Sequence, residues 1–178
     1  MIDLDRRKKL ATHLRRFVAG QITNDEFEEL LMNDVTYGHL PEYYYLTKEC
    51  TNDDPVIRPM VEMAWGLYDD TRNHTLTGTY TLNSYARKQI ARYVLFLTSD
   101  QPFTWEYFNI RHSLLLMSLK DFLKCFMTRG VSYLQFELIR EQKLEAIKST
   151  GDYEYWPFKT VQDFKKQLKK PPFLNGII

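Results

Sequence analysis

Residues 83–102 read NSYARKQIARYVLFLTSDQP, and this stretch predicts the clearest helix of the chain, over residues 85–98. Asn83 or Ser84 can cap the helix start, and Ser99-Asp100-Gln101-Pro102 ends it. Such an amphipathic helix must bury its apolar side against other elements, which indicates a helical core. The side chains on that apolar side are Ala86, Ile90, Tyr93, Val94 and Leu97, while Arg87, Lys88 and Arg92 lie on another side.

The rest of the chain repeats this helical patterning with local start and stop signals. A basic helix is predicted over residues 3–19, ended by Gly20, and an acidic one follows the capping-box pair Thr23 and Glu26. Further helices are predicted from Pro55 or Pro59 to Arg72, over 112–128 and 131–149, and from Thr160. We expect a mainly α, single globular domain of about six helices over residues 1–178.

Residues 74–82 are the one segment that favours another structure. Thr alternates there with Leu, Gly and Tyr, and β-branched Thr suits a pleated backbone. A short β element or a loop near 74–82 fits this pattern equally well. The alternative fold class is therefore α+β.

Composition places the chain among ordinary soluble proteins. It is 44% hydrophobic and 26% charged, and its longest apolar runs are far shorter than a bilayer span. The two cysteines, Cys50 and Cys125, do not suggest a disulfide framework. Cys125 lies in an apolar helical stretch and is expected to be buried. No apolar signal segment follows the charged start. We predict a cytoplasmic protein without membrane contact.

Charge is distributed unevenly along the first third of the chain. Residues 1–22 hold six basic and two acidic side chains, whereas residues 23–54 hold one basic and nine acidic ones. We expect the basic first helix and the acidic second helix to face each other. The alternative is nucleic-acid binding, which is possible but not favoured, through residues 6–16 and the lysine-rich tail, Lys159, Lys165, Lys166, Lys169 and Lys170.

The densest polar cluster is Asp69-Asp70-Thr71-Arg72-Asn73-His74. Asp69, Asp70 and His74 are candidate catalytic residues, with Glu62 or His112 as additional ligands if a metal binds. The favoured interpretation is a helix end followed by a turn. The four histidines are scattered and no glycine-rich phosphate loop occurs, so the sequence predicts neither a metal nor a cofactor.

Aromatic residues are unusually frequent, with 12 Tyr, 11 Phe and 3 Trp. Tyr93, Phe122 and Phe126 fall on helical stripes and are expected in the core. The rings of three irregular stretches, 43–45, 103–108 and 153–158, either seal the core or form a recognition surface. The candidate binding residues are Tyr43, Tyr44, Tyr45, Trp105, Tyr153, Tyr155, Trp156 and Phe158.

The function that these features favour is contact with another protein or self-association. A small cytosolic regulator or inhibitor would carry many aromatic residues and no catalytic signature. Bacterial immunity proteins, which neutralise toxins by contact, are an example of such a class. The alternatives are a hydrolase or metal protein using Asp69, Asp70 and His74, and the nucleic-acid-binding protein described above.

Overall fold

The computed structural model describes residues 1–106, 119–128 and 130–170. Within these ranges the chain forms eight α-helices, three single-turn 3-10 helices and no strand, so the predicted mainly α fold class is confirmed. The α-helices are α1 Leu4–Val18, α2 Asn24–Asp34, α3 Lys48–Thr51, α4 Ile57–Trp65, α5 Ser84–Leu97, α6 Leu119–Met127, α7 Val131–Lys148 and α8 Val161–Leu168. The 3-10 turns are Tyr44–Leu46, Gly78–Tyr80 and Tyr153–Tyr155. Within the ranges described, no helix is long and apolar enough to cross a bilayer.

Helices α1 and α2 pack against each other as the charge pattern predicts. The capping box is complete, because Thr23 accepts from the Glu26 amide and Glu26 accepts from the Thr23 amide. Between the two helices, Asp34 accepts from Lys9 Nζ at 2.9 Å and lies 2.8 Å from His13 Nε2. The basic and acidic faces therefore meet, and part of the charge asymmetry is used inside the molecule.

A buried ion pair fixes α1 to two loops. The Arg7 side chain is 0% exposed, and its Nε and Nη2 donate to the equally buried Asp54 carboxylate at 2.6 and 2.9 Å. Arg7 Nη1 also donates to the Gln101 carbonyl at 2.7 Å. Arg6 pairs in the same way with Asp53, at 2.6 Å from Nη2. These arginines, which belong to the segment considered above for nucleic-acid binding, are thus paired with carboxylates of the chain itself.

Residues 74–82 contain no strand, so of the two alternatives predicted for this segment the loop is confirmed and the β element is wrong. The backbone of His74 bonds instead to the start of α2, because its amide donates to Asn24 Oδ1 at 2.7 Å and its carbonyl accepts from the Asn24 amide at 3.0 Å. Gly78 then takes a φ of +57° and opens a 3-10 turn. With no neighbouring strand in the described chain, the Thr alternation has nothing to pair with.

Helix α4 is shorter than predicted. It was expected to continue to Arg72, but it ends at Trp65, where the Gly66 amide closes the last turn on the Glu62 carbonyl. Helix α5 packs on α1 and α8 and contributes Ile90, Tyr93, Val94, Phe96 and Leu97 to the core. Helix α7 matches the predicted 131–149 closely, while only Leu119–Met127 of the predicted 112–128 lies within the described residues.

Candidate functional site

A cleft of about 410 Å³ lies between helices α4, α5 and α7 and the turn Tyr153–Tyr155. This volume falls within the ~300–1,000 Å³ typical of small-molecule sites. Five aromatic rings line the cleft, together with aliphatic side chains of α4 and α7. The rings are those of Tyr85, Tyr93, Phe103, Tyr153 and Trp156.

Helix periodicity explains how α5 supplies one wall of the cleft. Its lining residues follow one another at steps of three, one, three and one, which places them on one helix face. Helix α4 contributes Pro59 and, about one turn later, Glu62 and Met63. Helix α7 contributes Leu144 and Ile147 from its last turns. The α5 residues that line the wall are Tyr85, Lys88, Gln89, Arg92 and Tyr93.

The ring of Trp156 is held between two others at the back of the cleft. It meets Tyr93 edge to face with ring centroids 5.1 Å apart, and Phe103 with centroids 6.1 Å apart. Edge-to-face pairs of this kind are favoured by the ring quadrupoles. Burial raises the pKa of Tyr93 to about 12, with Arg92 opposing the shift, so its phenol is neutral at physiological pH.

Charged side chains of both signs line the same cleft. Lys88 and Arg92 stand on α5, whereas Glu106 follows the 99–105 segment and Glu154 lies in the 3-10 turn. Among the described residues none of these four takes part in an ion pair. The fifth charged residue, Glu62, is buried and its Oε1 lies 3.7 Å from Arg58 Nε.

A second surface is formed by helices α6 and α7, which pack together across Gly130. We call its seven apolar side chains the hairpin face, and each is between 53 and 83% exposed. Gly130, at a φ of +88°, makes the tight link between the helices. The members of the hairpin face are Leu123, Phe126, Met127, Val131, Leu134, Leu138 and Ile139.

The hairpin face corrects two sequence predictions. Phe126, expected in the core, is 81% exposed, and Cys125 is only partly buried. The apolar stripe of α6 is present, but no described helix other than α7 makes more than isolated contacts with it. The side chain of Phe122 lies outside the described residues. The apolar spacing of α6 therefore shows which side chains share a face, but it does not show whether another element buries that face.

Three of the predicted binding residues are core residues. Tyr44, Trp105 and Phe158 are buried, which corrects their assignment to a recognition surface. Burial of Trp105 and Tyr44 is possible because the indole N–H and the phenol hydroxyl find hydrogen-bond acceptors inside the protein. Trp105 Nε1 donates to the Pro157 and Phe158 carbonyls at 3.1 and 3.2 Å, and the Tyr44 hydroxyl donates to Asp53.

The other predicted binding residues differ in their exposure. Tyr43 and Tyr153 are exposed, at 57 and 37%, and Tyr45 is half-buried. Tyr155 and Trp156 pack against the core, Tyr155 on Phe164 with centroids 5.4 Å apart. Residues 107–108, from the stretch 103–108, lie outside the described residues. Tyr153 and Trp156 belong to the cleft, so the 153–158 stretch contributes to a site although Pro157 and Phe158 are buried.

The Asp69, Asp70 and His74 cluster forms a turn. Asp69 Oδ1 accepts from the Thr71 amide and hydroxyl at 2.9 and 2.7 Å, and these bonds lower the pKa of Asp69. His74 Nδ1 lies 2.8 Å from the Arg72 carbonyl, and its ring stacks on Tyr80. Asp70 is exposed, and His112 lies outside the described residues. In the described ranges, no three His, Cys, Asp or Glu side chains are grouped to hold a metal ion.

No protein-family model, curated protein or solved structure matches this chain. The cleft and the hairpin face are therefore the features that bear on function. Sequence reasoning did not identify Lys88, Arg92, Glu106 or Glu154 as site residues. The available signal was the polar and aromatic face of α5, on which Tyr85, Gln89 and Tyr93 accompany the two cations.

Proposed function

We propose that the protein acts by binding another protein, as a regulator or an inhibitor, and that the hairpin face is its contact surface. The observation that carries this proposal is the exposure of seven apolar side chains on two adjacent helices. Monomeric soluble proteins rarely expose large contiguous apolar patches, and such patches mark interaction sites. The contact surface that we propose is thus mostly aliphatic, whereas the sequence pattern favoured aromatic segments.

The shape of the hairpin face indicates the chemistry of the partner. Two packed helices with an open apolar side form half of a helical bundle, which one or two amphipathic helices can complete. Among the described side chains of α6, the exposed charged ones are Lys120 and Lys124. We therefore expect a partner helix whose apolar stripe is bordered by Asp or Glu on the side that meets α6.

A cytoplasmic location is part of the proposal. Cys50 and Cys125 are both free thiols, which supports a reducing compartment. Burial raises the pKa of Cys50, so this thiol stays protonated and unreactive at neutral pH.

Site-specific photocrosslinking in the source cell tests the proposal. The photoreactive residue p-benzoylphenylalanine replaces Leu134 of the hairpin face or, as a matched control, Leu46, which is exposed on a different part of the surface. We expect one other protein to be crosslinked from position 134 and not from position 46. Crosslinks from 134 to a second copy only, or no crosslink, would contradict the proposal.

Reconstitution with the purified partner then tests the contact directly. Burying a Leu side chain contributes about 1.5–3 kcal/mol, so Leu134→Glu should weaken binding by about tenfold or more. The same substitution at Leu46 should leave the affinity unchanged. Because both side chains are exposed, neither variant should alter the free energy of unfolding by more than about 0.5 kcal/mol.

A further inference from the structure

The cleft between α4, α5 and α7 holds opposite charges that do not neutralise each other. Lys88 and Arg92 line it from α5, and Glu106 and Glu154 line it from the segments that follow α5 and α7. In the part of the chain that the structure describes, none of the four lies within 4.0 Å of an oppositely charged group. Two cations and two anions thus border one cavity of about 410 Å³ and remain available to a ligand.

Much of the remaining lining of the cleft is apolar. The rings of Tyr93 and Trp156 meet edge to face at its back, and Met63, Leu144 and Ile147 complete the lining. A flat or bulky apolar group gains both burial and ring contact at such a surface. The ligand that suits this lining therefore combines an apolar body with charged groups of both signs.

We propose that the cleft binds a free α-amino acid with an aromatic or large apolar side chain. The ligand carboxylate faces Lys88 and Arg92, its ammonium group faces Glu106 and Glu154, and its side chain lies against Trp156 and Tyr93. A small zwitterion satisfies both pairs of charges at once. An organic anion would place its charge in a cleft that Glu62, Glu106 and Glu154 also line, and an amine would place its charge beside Lys88 and Arg92.

This site is separate from the surface assigned to protein binding. Leu144 and Ile147 belong to the last turns of α7, whereas the α7 residues of the hairpin face all lie between 131 and 139. The proposal therefore stands or falls without the partner protein.

Calorimetric titration with four matched probes tests the proposal. The probes are L-phenylalanine, phenylpropanoate, which lacks the ammonium group, phenethylamine, which lacks the carboxylate, and L-alanine, which lacks the ring. We expect L-phenylalanine to bind about tenfold more tightly than either one-charge analogue, and L-alanine to show no binding at about 10 mM. Equal affinity for a one-charge analogue, or no binding of L-phenylalanine, would overturn it.

Charge-removing variants assign the two ends of the ligand. Lys88→Gln and Arg92→Gln should weaken phenylpropanoate and L-phenylalanine by about threefold or more and leave phenethylamine unchanged. Glu154→Gln should weaken phenethylamine and L-phenylalanine and leave phenylpropanoate unchanged. Arg87→Gln is the matched control, because Arg87 lies on α5 but does not line the cleft.

Two further measurements keep this result interpretable. Lys88 and Glu154 are exposed, so their variants should melt at the wild-type temperature and remain informative even if Arg92→Gln is destabilised. Chemical-shift changes on adding L-phenylalanine should centre on the cleft lining. If the shifts centre elsewhere, or if the basic and acidic variants weaken both analogues alike, the proposed orientation is wrong.

Discussion

Asp54→Asn tests how strongly the buried ion pair stabilises the fold. In the native protein the Asp54 carboxylate accepts from Arg7 Nε at 2.6 Å, from Arg7 Nη2 at 2.9 Å and from the Asp3 amide at 2.9 Å. Both side chains are 0% exposed. The substitution keeps the shape of the side chain, turns one acceptor into a donor, and leaves the guanidinium buried without its counter-charge.

The cost follows from what remains buried. Removing one partner of a buried ion pair destabilises a protein by about 3–5 kcal/mol, because the other charge loses its compensation. Total stabilities are about 5–15 kcal/mol, so Asp54→Asn should remove a third or more of a typical value. Arg7→Met should cost a similar amount, since it leaves the carboxylate buried alone.

The double variant Arg7→Met/Asp54→Leu separates charge from hydrogen bonding. Replacing a buried pair by apolar residues is often neutral when all other polar groups stay satisfied. Here the Asp3 and Val56 amides and the Ser99 and Gln101 carbonyls would each lose a partner, at about 1–3 kcal/mol apiece. The double variant should therefore be less stable than wild type, yet lose clearly less than the two single variants together.

Urea unfolding followed by far-ultraviolet circular dichroism measures these differences. The control is Glu145→Gln, which removes one partner of the exposed pair Lys148–Glu145 and should change the free energy of unfolding by less than about 0.5 kcal/mol. The reasoning is refuted if Asp54→Asn stays within about 1 kcal/mol of wild type at an unchanged denaturant slope. It is equally refuted if the losses of the two single variants add in the double variant.

Two further predictions concern pH and backbone conformation. Burial lowers the pKa of His13 although Asp34 opposes the shift, so the unfolded chain takes up the proton first and stability should fall as pH drops below about 6.5. His13→Gln should flatten the dependence of the melting temperature on pH between about 7.5 and 5.5, and an unchanged slope would contradict this. Gly20→Ala should cost more than Gly38→Ala in urea unfolding. Both glycines have positive φ, which costs about 1–2 kcal/mol, but only at Gly20 would the added Cβ collide with Thr77. Equal losses would show that the collision is relieved by movement of Thr77.

Helices whose signals are local could be predicted from the sequence. The capping box at Thr23 and Glu26 is complete in the structure, and the predicted helix at 85–98 is observed as Ser84–Leu97. These signals work because caps and apolar stripes act within a few residues. The end of α4 was misplaced because apolar positions continue past Gly66, at Leu67 and Tyr68, although the helix does not.

The cleft could not be predicted in the same way. Its lining comes from α4, α5, the segment after α5, α7 and the turn at 153–155, and only the fold brings these together. Glu154 and Lys88 are far apart in the sequence, and neither belongs to a motif. The face of α5 was visible in the helical pattern, but it resembles the solvated side of any amphipathic helix.

Aromatic and arginine residues show why the remaining assignments were difficult. Trp105 and Tyr44 lie in irregular segments, which favours a surface position, yet both are buried because their polar groups find acceptors inside. Arg7 lies within a basic run typical of a solvated face, and Asp54, which makes its burial possible, is 47 residues away. Phe126 shows the converse, since it follows a regular apolar stripe and is 81% exposed. Periodicity indicates which side chains share a face, whereas burial depends on whether a second element covers that face and satisfies its polar groups.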